Sequence, residues 1–570
     1  MPRLAGLLSM PISDDQLKAL VLNAKLVDQN QMQEIAEYAR NAQMSLTDAL
    51  LEKDAATDQA LGNLIAGELK VPYVVLAKLS IPEDVSRIVP EKIARKYKVI
   101  PFERDANGIK VAMADPKNAL IQEMVSKKTG QNVVPYYATE RDIYNKLWVF
   151  RKDLQKTFDT LVNEQLKSAG KTSSVDAPIA KIVTLIINYA YQDRASDLHI
   201  EPEEKDTLVR FRVDGILHDV LFLPKKLHDQ VVTRIKVLSS LRTDEHMAPQ
   251  DGKMRIELEE EDLDIRVSIL PIVYGEKVVL RLLASHFRQF SLVDLGMNQT
   301  DLQKVTNAFT KSFGLILSTG PTGSGKTTSI YSILKIINTR EKNITTIEDP
   351  VEYRIKGVNQ IQTNAKTDLT FASGLRSILR QDPNVIFVGE IRDSETAGIA
   401  VNAALTGHLV LSTLHTNDAA TALPRLIDMK VESFLVASTV NVIVAQRLVR
   451  KICEMCKAPL DMKVDQLSQN LPMEKVQHFF GVQPTIRVFK GKGCEICHMT
   501  GYAGRIGLFE VLEVSNEIKK LITAKKDSNV VLQQAIKEGM TTMLDDGLIK
   551  VSKGLTTIDE VLRVTKVETI

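Results

Sequence analysis

Apolar residues near the start of the chain recur every three or four positions, which is the spacing of amphipathic helices. Two loosely similar stretches show this spacing, ALVLNAKLVDQNQMQEIAEYA from Ala19 and ALLEKDAATDQALGNLIAGEL from Ala49. In each stretch an acidic residue, Asp28 or Asp58, precedes the second apolar run and is expected to cap a helix. Two copies are too few for a solenoid, so the pattern predicts a small helical bundle.

Farther along, apolar and polar residues alternate with the period of two that is typical of β-strands. The stretch KVIPFERDANGIKVAMADP predicts a β-hairpin that turns at Asn107 and Gly108. Three later stretches, DTLVRFRVDGILHDV, DLDIRVSIL and EKVVLRLL, predict further strands after a linker-like segment, KSAGKTSSVD. From about Phe290 onward, β-branched runs alternate with helical stretches, which predicts a parallel sheet with crossover helices.

These patterns divide the chain into four parts. We expect an N-terminal α+β module over residues 1–145, a linker over 146–178, a second α/β domain over 179–288 and a larger α/β domain over 289–570. The length of 570 residues supports a division, because such a chain is too long for a single hydrophobic core.

Composition and charge argue against several classes of function. The 73 Lys and Arg residues nearly balance the 71 Asp and Glu residues, and no basic tract is rich in aromatic residues, so we do not expect direct nucleic-acid contact. No stretch approaches the run of about 18 apolar residues that spans a bilayer. The opening residues are too briefly apolar for a secretory signal, so we expect a cytoplasmic protein that meets the membrane through partners.

The sequence GPTGSGKT, from Gly320 to Thr327, matches the phosphate loop GxxxxGK(S/T). The flanking residues also match what a phosphate loop requires, a strand before it and a helix after it. The apolar stretch GLILS precedes the loop, and TTSIYSILKII, with apolar residues at helical spacing, follows it. We expect backbone N–H groups to hold the phosphates of ATP, Lys326 to reach the β- and γ-phosphates, and the Thr327 hydroxyl to bind Mg²⁺. The residues predicted to bind the nucleotide are Gly320, Pro321, Thr322, Gly323, Ser324, Gly325, Lys326, Thr327 and Thr328.

Acidic residues follow two further predicted strands. Glu348, with Asp349 and Glu352 after it, ends NITTIE, and Glu390 ends NVIFVGE. In phosphate-loop enzymes such strand ends lie beside the nucleotide, where one acid holds the metal and another orients the attacking water. The second strand ends in Gly-Glu rather than the common Asp-Glu pair, so we expect Glu390 to hold Mg²⁺ through a water molecule.

Two histidines flank the stretch LVLSTL. His415 follows this predicted strand and is expected to hydrogen-bond the γ-phosphate, so that it senses whether ATP or ADP is bound. His408 lies at the start of the strand. For both residues, the alternative is a histidine that only satisfies hydrogen bonds in the core.

All four cysteines fall in two C-x-x-C pairs, Cys453 with Cys456 and Cys494 with Cys497. Each pair presents two thiolates to one side of a metal, and four thiolates complete a closed tetrahedral site. We therefore expect structural Zn²⁺ in a clip at about residues 450–505. His498 adjoins the last cysteine and is a competing ligand, and a set of free reduced cysteines is the alternative to a metal site.

The phosphate loop, TIEDPVEY, VGEIRDSETA and TGHLVLSTLHTNDA stand in this order along the chain. This set resembles the secretion ATPases of the type II secretion and type IV pilus superfamily, in which glycine before the second glutamate is the usual pattern. ASDLHIEP, VRFRVDG, PQDGK and DIRVSILP extend the resemblance upstream to about residue 180. The resemblance implies an α/β fold in which a RecA-like phosphate-loop NTPase domain follows a PAS-like α+β domain and a small N-terminal α+β docking domain.

The resemblance also implies roles for individual residues. Glu348 corresponds to the glutamate thought to activate water, and Glu390 to the acid that holds the metal. Arg266 and Arg281 correspond to arginines that the second domain brings against the phosphates, for which exposed strand charges are the alternative. Weaker candidates for contact with the nucleotide or a neighbouring subunit are Arg376 and Arg380, for which solvated helix charges are the alternative. For Arg210, Arg212 and His199 the alternatives are a structural role and contact with a neighbouring subunit.

Members of this superfamily work as hexameric rings, so the resemblance implies a homohexamer that acts with an inner-membrane platform protein and a docking protein. The four-cysteine segment resembles assembly and secretion motors, because retraction motors generally lack it. Relatives bind cyclic di-GMP through N-terminal motifs that begin Arg-Leu-Gly, whereas this chain reads LKALVL and SLTDALL, and Arg3 is a poor substitute by position. We therefore do not expect cyclic di-GMP to bind.

The leading hypothesis is a cytoplasmic hexameric ATPase that powers type IV pilus assembly at the inner membrane. A type II secretion motor uses the same chemistry and is the close alternative. Two further hypotheses are a nucleotide-gated scaffold with little turnover and a motor that acts on nucleic acid. The acids Glu348 and Glu390 argue against the scaffold, and the balanced charge argues against the nucleic-acid motor.

Overall fold

A computed structural model gives the fold as two compact units, one formed mainly by Ala66–Gln289 and the other joining Ile12–Ile65 to Phe290–Ile570. Arg3 and most of the predicted linker lie outside the residues that the structure describes. In the described part of the chain, no helix is both long enough and apolar enough to cross a membrane. The described residues are 11–42, 45–53, 55–79, 81–147, 158–160, 176–258, 261–284, 291–467, 471–494 and 497–565.

The N-terminal stretch forms two pairs of helices, as the repeat predicts. These are α1 (Asp14–Asn23), α2 (Gln29–Ala42), α3 (Leu46–Glu52) and α4 (Asp58–Leu69). Asp28 caps α2, because its Oδ1 accepts a hydrogen bond from the Gln31 N–H at 2.8 Å. The prediction for Asp58 was wrong, since Asp58 is the first helical residue and the preceding Thr57 Oγ1 accepts from the Ala60 N–H at 3.2 Å.

A small three-stranded sheet follows in the first unit. Its elements and the helices around it are α5 (Glu83–Ser86), α6 (Glu91–Tyr97), β1 (Val99–Asp105), β2 (Gly108–Met113), α7 (Ala119–Thr129), β3 (Val133–Tyr137) and α8 (Glu140–Lys146). β1 and β2 form the predicted hairpin, and β3 lies parallel to β2. Because Asp105 pairs with Gly108, the turn residues are Ala106 and Asn107, one position earlier than predicted.

The first unit also holds a six-stranded antiparallel sheet in the order β6-β5-β4-β9-β8-β7. Its elements are α9 (Asp176–Gln192), β4 (Asp197–Pro202), β5 (Asp206–Val213), β6 (Ile216–Pro224), α10 (Lys225–Leu238), β7 (Gln250–Glu257), β8 (Asp262–Ile272) and β9 (Gly275–Leu283). Alternate strand residues, among them Leu198, Phe211 and Leu280, join the residues of α9 and α10 in one apolar core. The residues between them project from the opposite face, which therefore carries the polar side chains.

The second unit is built on a seven-stranded sheet in the order β12-β11-β13-β14-β10-β15-β18. Neighbouring strands are parallel except for β15 and β18, which are antiparallel. This arrangement matches the predicted parallel sheet with crossover helices. The strands are β10 (Gly314–Thr319), β11 (Ile344–Glu348), β12 (Val358–Gln362), β13 (Val385–Val388), β14 (Leu409–Leu414), β15 (Val440–Ile452) and β18 (Tyr502–Glu513).

Helices cover this sheet, and a short two-stranded excursion lies between β15 and β18. The helices before the excursion are α11 (Gln299–Phe309), α12 (Lys326–Ile337), α13 (Phe371–Ile378), α14 (Ser394–Leu405), α15 (Ala422–Asp428) and α16 (Ser433–Thr439). The excursion contains β16 (Lys457–Lys463), α17 (Val464–Leu467), α18 (Met473–Phe480) and β17 (Thr485–Gly491). The chain continues with α19 (Asn516–Thr523), α20 (Ser528–Lys537), α21 (Met543–Ser552) and α22 (Ile558–Val564).

Candidate active site

The predicted phosphate loop connects β10, a strand buried along its whole length, to the N-terminus of α12. Gly320 has φ +144°, and a Cβ there would lie 2.5 Å from the Gln446 carbonyl oxygen and 2.6 Å from Ser324 Oγ. The loop therefore requires glycine at its first position. Lys326 Nζ donates hydrogen bonds to the carbonyl oxygens of Gly320 at 2.8 Å and Pro321 at 3.0 Å.

The chemistry of the loop fits a phosphate group. The helix N-terminus at Lys326 presents N–H groups and a partial positive charge. Ser324 Oγ is buried in the loop and has no hydrogen-bond partner among the described residues. Burial lowers the pKa of Lys326, and the nearby Glu390 carboxylate opposes this shift. The oxygens of a bound phosphate would accept hydrogen bonds from the Lys326 ammonium group, the loop N–H groups and the Ser324 hydroxyl.

Substituting alanine for Gly320 is expected to weaken ATP affinity by about tenfold or more, because backbone strain of this kind costs about 1–3 kcal/mol and the loop must shift away from Gln446. Equilibrium titration with a fluorescent ATP analogue measures this effect. Gly398→Ala is the matched control, since Gly398 lies within α14 and a Cβ there meets nothing within 4 Å. Unchanged affinity in Gly320→Ala would contradict the proposed fit.

The two predicted acids lie at neighbouring strand ends of the same sheet edge. Glu348 is the last residue of β11, and Glu390 follows β13, which pairs in parallel with β11. The Gly389 N–H donates to the Ile347 carbonyl at 2.8 Å, and a Cβ on Gly389 would lie 3.2 Å from Glu348 Cα. This close approach gives a physical reason for glycine, rather than aspartate, before Glu390.

Glu390 brings several of the predicted residues together. Its Oε2 lies 2.6 Å from Arg392 Nε and 3.2 Å from His415 Nε2. Its charge also acts on Lys326 across the loop. The structure therefore collects a lysine, a carboxylate and a histidine at the carboxyl edge of the parallel sheet, which is where ligands bind in such folds.

Glu348 has a different environment, because its side chain is enclosed in the protein and only 2% of the residue is exposed. The hydroxyl groups of Thr346 and Tyr331 both donate to its carboxylate, and Gln360 Nε2 lies 3.3 Å from its Oε1. Burial raises the pKa of Glu348, while the hydrogen bonds from Thr346, Tyr331 and Gln360 oppose that rise. A carboxylate in such a setting is a stronger base than an exposed one.

Sequence reasoning missed Gln446, which lies on β15 directly beside the phosphate loop. Gln446 is fully buried, and its Oε1 accepts a hydrogen bond from the Ser329 hydroxyl on α12 at 2.6 Å. The next residue, Arg447, donates to Asn417 Oδ1 at 3.0 Å, and its charge contributes to lowering the pKa of Lys326. The sequence signal that could have identified these two residues is the polar pair Gln446-Arg447 inside the otherwise apolar stretch VIVAQRLV.

Several weaker candidates do not join the site in the structure. Arg376 forms an exposed ion pair with Glu395 at 2.7 Å, and Arg380 donates to the Arg376 carbonyl, as solvated helix charges do. His408 Nδ1 lies 3.0 Å from the Ala403 carbonyl, at the opposite end of β14 from the phosphate loop. A core histidine therefore describes His408 better than a role at the nucleotide.

Arg266 and Arg281 are direct cross-strand partners on β8 and β9 in the first unit. The same row of the sheet continues to Lys253 on one side and to Asp197 and Arg212 on the other. Asp197 Oδ1 accepts from Arg281 Nε at 2.9 Å. One acid among four cations makes this row strongly positive, as a phosphate-contacting surface requires.

His199 and Arg210 form the next row on that face of the sheet. His199 Nδ1 lies 3.4 Å from Glu201, and Arg210 Nε lies 2.9 Å from Asp219. Asp219 therefore compensates the charge of Arg210, and burial lowers the pKa of His199, which is in keeping with structural roles for both residues.

The four cysteines meet in one cluster, with all sulfur atoms within 4.8 Å of one another. The Sγ separations are 3.8 Å for Cys453 and Cys494, 3.9 Å for Cys456 and Cys497, and 3.6 Å for Cys494 and Cys497. Tetrahedral zinc with Zn–S bonds of about 2.3 Å places thiolates about 3.8 Å apart, so the cluster fits this ion. His498 is not part of the cluster.

Comparisons with known proteins agree with this geometry. The family described as type II/IV secretion system protein matches residues 172–563, and the MshEN domain matches residues 69–147. The type IV pilus assembly ATPase PilB of Myxococcus xanthus is 36% identical over 563 residues, which are 96% of this chain and 98% of that protein. The type II secretion system protein E of Pectobacterium carotovorum is 46% identical over 393 residues, which are 69% of this chain and 77% of that protein.

Among solved structures, the ATPase DotB of Legionella pneumophila is similar with a TM-score of 0.50 at 20% identity. The likeness covers 67% of this chain and 95% of that chain. At this level of identity it concerns the fold alone.

Proposed function

This chain belongs to the type II/IV secretion system protein family, whose activity is ATP hydrolysis, and from that membership we propose that it powers type IV pilus assembly. The observation that carries the proposal is the length of the alignment. The pilus assembly ATPase of Myxococcus xanthus matches the chain from the N-terminal module to the C-terminal helices, over 96% of its residues. The type II secretion relative of Pectobacterium carotovorum reaches a higher identity, 46%, over 69% of the chain, and that of Dickeya dadantii is 39% identical over 86%, so secretion is the second candidate.

In the proposed mechanism the phosphate loop binds ATP, and Lys326 exchanges its carbonyl partners for the β- and γ-phosphates. Thr327 and Glu390 would hold Mg²⁺, which neutralises charge on those phosphates. His415, whose Nε2 lies 3.2 Å from Glu390 Oε2, would hydrogen-bond the γ-phosphate in this proposal. Glu348 takes the proton from the attacking water as its general base, helped by a pKa that burial raises.

Arg266 and Arg281 supply positive charge to the transferred phosphoryl group in this proposal. The planar guanidinium groups suit charge that spreads over several phosphate oxygens in the transition state. If another domain brings these arginines to the phosphates, each turnover would be coupled to a movement of that domain. This coupling would let ATP hydrolysis perform mechanical work.

Arg266→Ala and Arg281→Ala are each expected to lower ATP turnover by about 100-fold or more, with ATP still bound, because arginine acts mainly on the transition state. Steady-state phosphate release measures this loss. Arg255→Ala is the control from the same sheet, since Arg255 is exposed and pairs with Asp264 Oδ1 at 2.7 Å. Equal turnover in all three variants would contradict the role of the arginines.

We further propose that the active form is a homohexamer that works at the inner membrane through a platform protein and a docking protein. The N-terminal module is the expected docking element, and residues 69–147 match the MshEN domain. Mass photometry with a non-hydrolysable ATP analogue tests the hexamer. A monomer under those conditions would contradict it.

A point variant in the source bacterium distinguishes the two candidate machines. Chromosomal Lys326→Ala removes the phosphate-contacting lysine and should abolish surface pili while extracellular proteins stay unchanged. Loss of exported proteins with normal pili would favour type II secretion instead. Single-turnover kinetics of the purified protein test the scaffold hypothesis. If the protein were a scaffold with little turnover, it would bind ATP but hardly hydrolyse it.

A further inference from the structure

We infer that Tyr331 is a positioning residue for catalysis, which holds the Glu348 carboxylate from the phosphate-loop helix. The inference rests on the proposed role of Glu348 as the general base. It adds a residue that neither the sequence motifs nor the family resemblance singled out, and it concerns a contact between two elements of the active site, α12 and β11.

Packing fixes the direction of the Tyr331 ring. The residue is fully buried on the inward face of α12. Tyr353 meets it edge to face with ring centroids 4.7 Å apart, and Phe387 does the same at 6.1 Å. A tyrosine enclosed in this way needs a partner for its hydroxyl group. The hydroxyl finds this partner in Glu348, to whose Oε2 it donates.

The remaining donors around Glu348 complete the arrangement. The Thr346 hydroxyl donates to Oε1, the oxygen that Tyr331 does not use. Gln360 Nε2 lies 3.3 Å from both Glu348 Oε1 and the Tyr331 hydroxyl, so it joins the two groups. Each carboxylate oxygen thus has its own hydroxyl donor, and rotation of the carboxylate would leave both donors unpaired in the protein interior.

The Tyr331 hydrogen bond connects Glu348, the proposed general base, to the helix that begins at the phosphate loop. Tyr331 follows Thr327 by one helical turn on α12, so the helix that begins at the phosphate loop also carries a donor to Glu348. A shift of α12 when phosphate binds would therefore move Tyr331 relative to the carboxylate. The titratable groups that face Glu348 are Tyr331 and Glu352, and the Glu352 charge raises the pKa of Glu348 whereas the Tyr331 hydrogen bond lowers it.

Tyr331→Phe tests the inference, because it removes only the hydroxyl and keeps the ring between its aromatic neighbours. We expect kcat to fall by about tenfold or more while the Kd for ATP stays within about twofold. Without this donor the pKa of Glu348 rises, so the acidic limb of the kcat profile should move to higher pH. Tyr502→Phe is the matched control, since it removes a hydrogen-bonded tyrosine hydroxyl from the same unit whose partner is Thr557 Oγ1, at 2.9 Å, rather than Glu348.

A double variant separates positioning from packing. In a Glu348→Gln background, single-turnover rates should change by less than about twofold when Tyr331→Phe is added, because the two residues act as one unit. An equal fall in both backgrounds, or wild-type kcat in Tyr331→Phe alone, would overturn the inference. Full turnover in Glu348→Gln would instead overturn the proposed role of Glu348, so the two failures are distinguishable.

Discussion

Replacing Glu348 with glutamine is expected to lower the ATP turnover number by about 10²- to 10⁴-fold, the usual contribution of a general acid or base. The amide keeps the size of the side chain and can still accept a hydrogen bond through its oxygen, but it does not take a proton from water. Affinity for ATP should remain close to that of the unmodified protein, because Glu348 lies outside the phosphate loop. Steady-state phosphate release and titration with a fluorescent ATP analogue measure the two effects separately.

The pH dependence of turnover gives a second readout of the same prediction. Burial raises the pKa of Glu348 above the ordinary value of 4.5, although three hydrogen bonds oppose the rise. A general base works only when ionised, so turnover should fall as the pH drops through this raised pKa. Glu395→Gln removes an exposed carboxylate 2.7 Å from Arg376 and is the matched control. If Glu348→Gln kept its turnover, another group would have to activate the water.

Local sequence was enough to predict the phosphate loop. Its strand, glycine-rich turn and helix are contiguous, and each has its own pattern of residues, so the structure of residues 314–337 follows the expectation closely. The proximity of Glu348 and Glu390 was also predictable, because parallel strands end at the same edge of a sheet. The cysteine cluster was predictable as well. A longer stretch separates its two C-x-x-C pairs, but the pairs are alike and together provide a complete set of metal ligands.

Features that depend on the pairing of distant segments were not predictable. Gln446 reaches the phosphate loop only because β15 lies beside β10, and nothing local to residue 446 indicates that neighbour. Tyr331 reads as part of an apolar helix face, and its hydroxyl partner comes from β11. The cap at Asp58 failed for a local reason, since the hydroxyl of Thr57 takes the capping position one residue earlier.

The second large effect that we expect is a loss of structure when a cysteine is removed, because we propose that the four-cysteine cluster binds zinc. β15 and β18 pair from Val442 and Glu513 to Ile452 and Tyr502, so the cysteine cluster lies at the far end of this strand pair. Backbone N–H groups of Cys494 and Gly501 each lie 3.2 Å from Cys497 Sγ, an arrangement that favours a thiolate. Metal bound there would close the end of the pair and hold β16 and β17 in place.

Cys453→Ser is therefore expected to lower bound zinc from about one ion per chain to near zero, because a closed site needs all four ligands. The segment between β15 and β18 should then become sensitive to limited proteolysis, and chelation of the unmodified protein should have the same effect. His498→Ala is the matched control, since His498 adjoins Cys497 but lies outside the sulfur cluster. Retention of zinc by Cys453→Ser, or its loss from His498→Ala, would contradict a four-cysteine site. Because the phosphate loop lies between β10 and α12, ATP binding by Cys453→Ser should persist, which would localise the damage to the clip.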